Sequence, residues 1–302
     1  MSWLYFALAG PVLWAISTHL DKYLVERYFK SSNVAVMLIF TSLAALLLMP
    51  FIWWFEPTVI ARDAVAIGLI MMSGLLYIGA LFFYLKALQG DEASVVALFF
   101  EASPLFSYGL GYIVLGETLS TAQLAGGALI ITGTLIVSIR AGQPRGRVRW
   151  RLAALMITCS FALALGTLIF KVFAVSGEFW PTTFWLLAGQ AIFGALLLAI
   201  SSYRRQFVDV LRANTAALLT INATNELINL GGALSNRYAL LLAPLSIVQA
   251  IGSTTTLFVF LFGVVLSYCC PFLAREDLSP RELTRKGLAA ILVAVGVALV
   301  SV

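Results

Sequence analysis

The chain has 302 residues, of which 61% are hydrophobic and 11% are charged, and its mean hydropathy is +0.98. Because soluble domains are about half apolar, this composition excludes a soluble protein and predicts an integral membrane protein. The net charge of +5 would favour a nucleic-acid partner in a soluble chain, but here the basic residues occupy short connections between apolar segments. We therefore expect a lipid bilayer around the chain and no nucleic-acid partner.

Ten apolar segments follow one another along the chain. They cover residues 3–24, 33–55, 64–88, 93–115, 121–139, 152–175, 181–202, 214–242, 245–268 and 286–302. A helix that crosses the hydrocarbon core needs about 20 apolar residues, so each segment predicts one membrane span. The segments leave only short connections, and no separate soluble domain is expected.

An internal repeat divides these spans into two halves. Gly79, Ala87, Leu88 and Ser94 recur 152 positions later, and Thr18 and Lys22 recur 149 positions later. Since five spans are an odd number, the second half enters the membrane from the opposite side, an arrangement that secondary transporters use. The predicted fold class is an all-α membrane protein with ten transmembrane helices in two inverted five-helix repeats, residues 1–140 and 152–302, joined by a basic cytoplasmic linker over 141–151.

The basic residues predict the orientation of the chain. The odd-numbered connections, with the helix ends beside them, hold all but three of the 19 lysines and arginines. Only Arg62, Lys171 and Arg237 lie elsewhere. Because basic residues concentrate on the cytoplasmic side, we expect these connections in the cytoplasm, both termini outside, and the protein in the inner or plasma membrane.

The segment over residues 214–242 carries a polar stripe on one helical face. Positions 222, 225, 226, 229 and 236 fall on this face at about 100° per residue. The predicted substrate-binding residues of this segment are Asn222, Asn225, Glu226, Asn229, Asn236 and Arg237. Polar groups at membrane depth are costly and normally face a bundle interior or a watery cavity. The alternative is that the asparagines only join helices by hydrogen bonds, each worth about 0.6 kcal/mol on average.

The repeat gives this stripe a counterpart in the segment over 64–88. Ser73, Tyr77 and Tyr84 stand 152 positions before Asn225, Asn229 and Asn236. These three hydroxyl residues are therefore predicted to complete the same cavity wall and to bind substrate.

The chain resembles the EamA-type members of the drug/metabolite transporter superfamily. The residues that carry the resemblance are Trp14–Ala15 with Lys22, the stretch 93–97 with Pro104, the stretch 115–120, LGETLS, with the glycines that follow it, and weaker echoes at 275–279 and 287–296. The resemblance implies a ten-helix bundle, alternating access and a central cavity. It says little about the substrate, because such proteins are thought to move very different metabolites and drugs.

Two lysines at equivalent positions of the halves are further candidate substrate ligands. In inverted repeats Lys22 and Lys171 would approach the cavity from opposite faces, and the family's recurrent lysine after Trp14 supports both. For Lys22 the alternative is an interfacial lysine whose ammonium reaches the headgroups beside Asp21.

Several residues are candidates for coupling or gating. Glu226 must be protonated, paired with a cation such as Lys171, or exposed to water. Glu101 lies close to Pro104, which breaks one helical hydrogen bond, so this pair predicts a gate or a simple packing kink. His19, the only histidine, is either a proton relay or an ordinary hydrogen-bonding residue. Glu117 and Glu276 are interpreted as caps or loop anchors.

These patterns predict a secondary transporter of a small polar or amphiphilic metabolite that bears an anionic or zwitterionic group, with protons as a candidate coupling ion. The alternative within the same fold is an exporter of hydrophobic cations. A membrane scaffold or an enzyme is the third interpretation, but the sequence has no HExxH, GxSxG or nucleotide-binding loop. No catalytic residue, metal or cofactor is expected.

Overall fold

A computed structural model describes residues 2–27, 34–90, 102–138, 150–176, 178–213, 215–269 and 279–300 of the chain. Regular structure in these ranges is helical throughout. The α-helices are α1 (Ser2–Arg27), α2 (Val34–Phe55), α3 (Ala64–Gly90), α4 (Ser103–Leu115), α5 (Thr121–Ser138), α6 (Trp150–Ala174), α7 (Phe179–Ala199), α8 (Ser201–Ala213), α9 (Thr215–Leu242), α10 (Leu245–Gly252), α11 (Thr255–Cys269) and α12 (Pro280–Val300), and a short 3-10 helix covers Pro57–Ile60.

Seven segments of the described ranges are long and apolar enough to cross a membrane. They are Trp3–Asp21, Ala35–Phe55, Ala64–Tyr84, Ala154–Ala174, Phe179–Ala199, Leu245–Cys269 and Leu283–Val300. Two further apolar helices, Ser103–Leu115 and Thr121–Gly133, are shorter. The prediction of an all-α, multi-pass membrane protein is confirmed.

Helix α8 was not predicted. Residues 203–213 contain no long apolar run, so the sequence predicts only a basic connection there. Tyr203, Phe207 and Val210 nevertheless recur at helical spacing, and all three join the apolar core. The ring of Phe207 lies 4.7 Å from the ring of Phe40 in α2. Amphipathic periodicity over three turns therefore identifies a helix that a search for membrane spans misses.

The predicted span 245–268 is divided into α10 and α11. The hydroxyl of Thr254 donates to the Ile251 carbonyl oxygen at 2.7 Å, and that of Thr255 donates to the Gly252 carbonyl oxygen at 2.7 Å. Hydroxyls that bond to nearby backbone carbonyls compete with the helical ladder and bend helices. The break lies at the cavity described below, where it exposes polar groups to the bundle interior.

Helices of the first half pack mainly against helices of the second half. The most extensive contacts join α5 to α12, α1 to α9, α3 to α6 and α2 to α7. The pairs α1–α9 and α6–α3 correspond to each other in the internal repeat. Each pair joins the first apolar segment of one half to the third apolar segment of the other.

The contact between α1 and α9 depends on two glycines. A Cβ atom on Gly10 would lie 3.2 Å from the Gly232 carbonyl oxygen, and one on Gly232 would lie 3.0 Å from the indole of Trp14. Since these distances leave little room for a side chain, glycine at both positions lets the helices approach closely. The Trp14 indole lies against the space that a Gly232 side chain would fill.

Candidate substrate cavity

A cavity of about 590 Å³ lies between the helices. Residues of α1, α2, α3, α4, α6, α7, α9, α10 and α11 line it. Ligand pockets are typically about 300–1,000 Å³, so the volume suits a small metabolite. Both halves of the chain contribute to the wall.

The structure brings many of the predicted residues to this cavity. Those that line it are Ser73, Tyr77, Tyr84, Pro104, Glu226, Asn229, Asn236 and Arg237. The hydroxyl-bearing face of α3 and part of the polar stripe of α9 thus border one space. Their role as substrate ligands stays a prediction.

Three other predicted residues, Asn222, Asn225 and His19, do not line the cavity themselves. Asn225 donates from Nδ2 to Asp21 Oδ1 at 2.6 Å, and His19 donates from Nε2 to the Val259 carbonyl oxygen at 3.0 Å. Asn222 is buried and also lies outside the lining. Asn225 and His19 thus make the contacts between helices that the alternative interpretation describes, and the roles of all three residues in binding or coupling stay predictions. Helical periodicity shows which residues share a face but does not show which of them contact a neighbouring helix.

Two further predicted residues cannot be located in this way. The backbone of Lys22 belongs to α1, but its side chain lies outside the described residues, as does the whole of Glu101.

Two carboxylates line the cavity, one from each half. Glu226 Oε1 accepts a hydrogen bond from the Thr41 hydroxyl at 2.7 Å. Asp21 borders the same space and is held by Asn225. Asp21 was not predicted as a site residue, because its place beside Lys22 near the end of α1 suggested the membrane interface. Its position one turn after Ser17, on the same face of α1, was the signal that could have identified it.

Arg237 is the basic side chain of the described cavity wall. Its guanidinium carbon lies 5.8 Å from the centre of the Phe170 ring, within range of a cation–π contact. Its Nη1 atom is buried and has no hydrogen-bond partner. Arg237 and Glu226 also border a smaller pocket of about 20 Å³, which is room for about one water molecule.

Lys171 does not line the cavity, which corrects its predicted role as a substrate ligand. It is only 7% exposed, and its Nζ pairs with Glu117 Oε1 and donates to the Ala243 carbonyl oxygen at 2.6 Å. The proposed alternative of an ion pair between Lys171 and Glu226 is wrong for the same reason. The position of Lys171 near a helix end gives no indication that Glu117, from the other half of the chain, pairs with it.

Glu117 also anchors the start of α10. Its Oε2 accepts a hydrogen bond from the Leu245 backbone N–H at 2.7 Å, where the helix dipole favours a carboxylate. Gly116, with φ of 65°, ends α4 in the left-handed conformation, and the Glu117 N–H bonds to the Gly111 carbonyl oxygen at 3.1 Å. The Gly-Glu pair of the LGETLS stretch thus places a carboxylate between the halves. Glu117, interpreted from the sequence as a cap or loop anchor, thus caps a helix of the second half. Glu276, given the same interpretation, lies outside the described residues.

A second ion pair joins the halves. Arg62, in the connection before α3, pairs with Glu178, which precedes α7. Arg62 Nη1 also donates to the Thr182 hydroxyl at 3.1 Å, and Trp185 donates from Nε1 to the Val59 carbonyl oxygen at 2.8 Å. Burial lowers the pKa of the Arg62 guanidinium from its usual value.

Both ion pairs lie on one face of the bundle. This face contains the ends of α2, α4, α6 and α9 and the starts of α3, α7 and α10. Asp21, Thr41 and Tyr84, which line the cavity, lie nearer the opposite ends of their helices. The lining of the cavity thus includes residues near the face opposite the ion pairs.

Within the described ranges, no group of three or more histidine, cysteine, aspartate or glutamate side chains is placed to hold a metal ion. No site for a cofactor is identified there.

Comparison with known proteins gives the family of the first half. Residues 1–139 match the model of the EamA-like transporter family. This stretch is similar to EamA-like transporters. A solved structure titled "Crystal structure of protein" aligns with 99% of this chain and 96% of its own, with a TM-score of 0.69 and 15% identity. No curated protein matches the chain.

The EamA-like assignment confirms the resemblance drawn from the sequence. The solved structure shows a likeness in fold that also includes the second half of this chain, since nearly all of both chains align. At 15% identity that likeness concerns the fold and not the substrate. The substrate must be inferred from the cavity itself.

Proposed function

We propose that the protein is a secondary transporter that moves a small polar or amphiphilic metabolite with an anionic or zwitterionic group by alternating access. The proposal includes ten membrane helices in two inverted five-helix repeats, residues 1–140 and 152–302, with 141–151 as the linker between them. It assigns the chain no catalytic activity.

The exchange of helices between the halves supports the repeat. The first helix of each half packs on the third helix of the other, as a pseudo-two-fold axis in the membrane plane requires. A cavity that lies between two such halves can open to either side when they rock about it. The two ion pairs on one face are the contacts that would have to part when that face opens.

One observation carries the choice of substrate class. Arg237 is 8% exposed and borders the cavity with a buried N–H donor that has no partner. A buried guanidinium with an unused donor is stabilised by an anionic ligand. Asp21 and Glu226 border the same cavity and supply the opposite charge, which suits a zwitterion better than a simple dianion.

A specific observation also favours the second candidate, export of hydrophobic cations. With Lys171 paired to Glu117, the described cavity wall holds two carboxylates and one basic side chain. A hydrophobic cation could bind near Asp21 or Glu226 if Arg237 lay far enough away. Thermal stabilisation by an aromatic cation but by no anionic or zwitterionic metabolite would support this candidate over the first.

The orientation belongs to the proposal. The basic connections predict that both termini lie outside the inner or plasma membrane. The ion pairs would then close the outer face, and the cavity would open toward the cytoplasm.

The test of the function is transport in proteoliposomes after a metabolite screen by thermal stabilisation of the purified protein. We expect Glu226→Gln and Asn229→Ala to impair uptake of the metabolite that the screen identifies. Val265, which is 57% exposed, offers a control, and Val265→Ala should transport like the wild type. Unchanged transport in both cavity variants would show that the pathway lies elsewhere. Uptake driven by an imposed proton gradient would identify protons as the coupling ion.

A further inference from the structure

Helix α8 carries three exposed arginines on one flank. At about 100° per residue, Arg204, Arg205 and Arg212 fall on one sector of the helix, and Val208 lies between them and is half-buried. These four residues, hereafter the arginine flank, stand beside the apolar face of α8 that packs on the bundle. Asp209 borders the flank, so three positive charges and one negative charge leave α8 with a net positive charge.

The arginine flank lies where the chain leaves a membrane span. α8 begins at Ser201, directly after the candidate span Phe179–Ala199 and one connecting residue. On the apolar face of α8, the ring of Phe207 lies 4.7 Å from that of Phe40, and Val210 joins the same apolar cluster. This packing holds the flank at the ends of the spans, which is the level of the lipid headgroups.

The arginines of this flank have no acidic partner in the part of the chain that the structure describes. Arg205 Nε donates to the Ser201 carbonyl oxygen at 3.3 Å, a bond within α8. The equivalent connection of the first half, between α2 and α3, has only the 3-10 helix Pro57–Ile60, and its Arg62 pairs with Glu178. The internal repeat therefore does not account for α8, and its guanidinium groups are available to a partner outside the chain.

We propose that the arginine flank binds the headgroups of anionic phospholipids. This site lies outside the cavity and is independent of the proposed transport. Guanidinium groups donate two parallel hydrogen bonds to a phosphate group. Basic residues that share a flank with an apolar side chain, here Val208, are typical of helices that lie in the membrane surface.

The spacing of the arginines favours a lipid surface over a single small anion. Arg204 and Arg212 are eight residues apart, which is about 12 Å along the helix axis. Guanidinium groups spread over this distance can contact several headgroups of a bilayer but do not converge on one phosphate ion. Anionic lipids also give a leaflet a negative surface potential that attracts basic residues close to it. The charge of the flank and its position at the headgroup level therefore agree.

The test uses the full-length protein with its three native cysteines replaced by serine and with Val208→Cys labelled by a bimane fluorophore. The protein is reconstituted into vesicles of dioleoylphosphatidylcholine that contain a minor amount of spin-labelled lipid, either phosphatidylglycerol or phosphatidylcholine, with the nitroxide on the acyl chain near the headgroup. Quenching of the bimane measures which lipid lies beside the flank. We expect at least about fivefold higher occupancy by phosphatidylglycerol, since one basic residue near an anionic surface contributes about this factor.

Charge variants separate the flank from general effects of the bilayer. The triple variant Arg204→Gln, Arg205→Gln and Arg212→Gln should make the occupancies of the two lipids equal, and the corresponding triple lysine variant should retain most of the preference. Salt at about 1 M should reduce the preference, because it shortens the screening length to about 3 Å. Arg281, which is exposed at the start of α12, offers a matched control, and Arg281→Gln should keep the full preference.

The lipid site is refuted if the two spin-labelled lipids quench equally beside the unaltered arginines, or if neither lipid quenches the bimane, because the flank would then face water. It is also refuted if the triple glutamine variant keeps the preference, or if the triple lysine variant loses it, because positive charge would then not be what attracts the lipid. Transport through the cavity is measured separately, so a failure of lipid binding leaves the proposed function standing.

Discussion

The sharpest stability prediction concerns the buried pair of Lys171 and Glu117. In Glu117→Gln the lysine stays buried at 7% exposure and keeps only the Ala243 carbonyl oxygen as its described partner. Removing one member of a buried ion pair typically costs about 3–5 kcal/mol, because the remaining charge is uncompensated. The glutamine can still accept from the Leu245 N–H, so the loss measures the charge and not the helix anchor.

The double variant Lys171→Met with Glu117→Gln removes the buried charge while keeping a side chain of similar length. Replacing a whole buried pair by neutral groups is often close to neutral in stability. We therefore expect the double variant to be about 2–4 kcal/mol more stable than Glu117→Gln alone. This difference reflects the coupling between two residues that are in contact.

The assay is denaturant or thermal unfolding of the purified protein with Cys269 and Cys270 replaced by serine, because Cys269 is exposed in the folded chain. Unfolding is followed by the reaction of a thiol-specific dye with Cys159, which is buried in the folded chain. A matched control is Asp63→Asn, a change at an exposed carboxylate that bonds only to the start of α3 in the described contacts. If Glu117→Gln is as stable as the wild type, or if the double variant is no more stable than the single one, the pair carries no buried charge and the reasoning is wrong.

Three further substitutions test local features of the fold. Gly116→Ala should destabilise by about 1–2 kcal/mol, since alanine is strained at φ of 65°, and an unchanged unfolding midpoint would contradict that conformation. Arg62→Gln should cost about 1 kcal/mol or less, because the side chain of its partner Glu178 is 47% exposed and water screens the pair; a loss that did not shrink with added salt would contradict this view. Gly232→Val should displace Trp14 and weaken both packing and ligand binding, and a variant as stable and as active as the wild type would show that α1 and α9 lie farther apart.

The polar stripe of α9 illustrates how far the sequence could predict the site. Charged and amide groups inside an apolar segment must face water or polar partners, so the sequence predicts either a cavity or contacts between helices beside Glu226 and Asn229. Which stripe residues reach that cavity does not follow, because it depends on the neighbouring helix. Asn225 lies on the same face but meets Asp21 of α1.

The missed features share a cause, namely contacts between distant parts of the chain. Lys171 and Glu117 stand 54 positions apart and meet only because α6 packs on α4 and α10. The break after Gly252 depends on threonine hydroxyls that bond to the backbone, and an apolar segment gives no sign of such a break. Seven of the ten predicted apolar segments correspond to candidate spans of the described ranges, because hydrophobic length is a local property.

The central claim is that a cavity between the two halves opens to each side of the membrane in turn. A cysteine at position 229, in a background where the three native cysteines are replaced by serine, tests this directly, because Asn229 lines the cavity. Membrane-impermeant thiol reagents are applied to sealed vesicles from one side and then the other, with and without the transported metabolite. The account predicts labelling from both sides, with the metabolite protecting the cysteine in each case. A cysteine that reacts from one side only under all conditions, or from neither side, would contradict it.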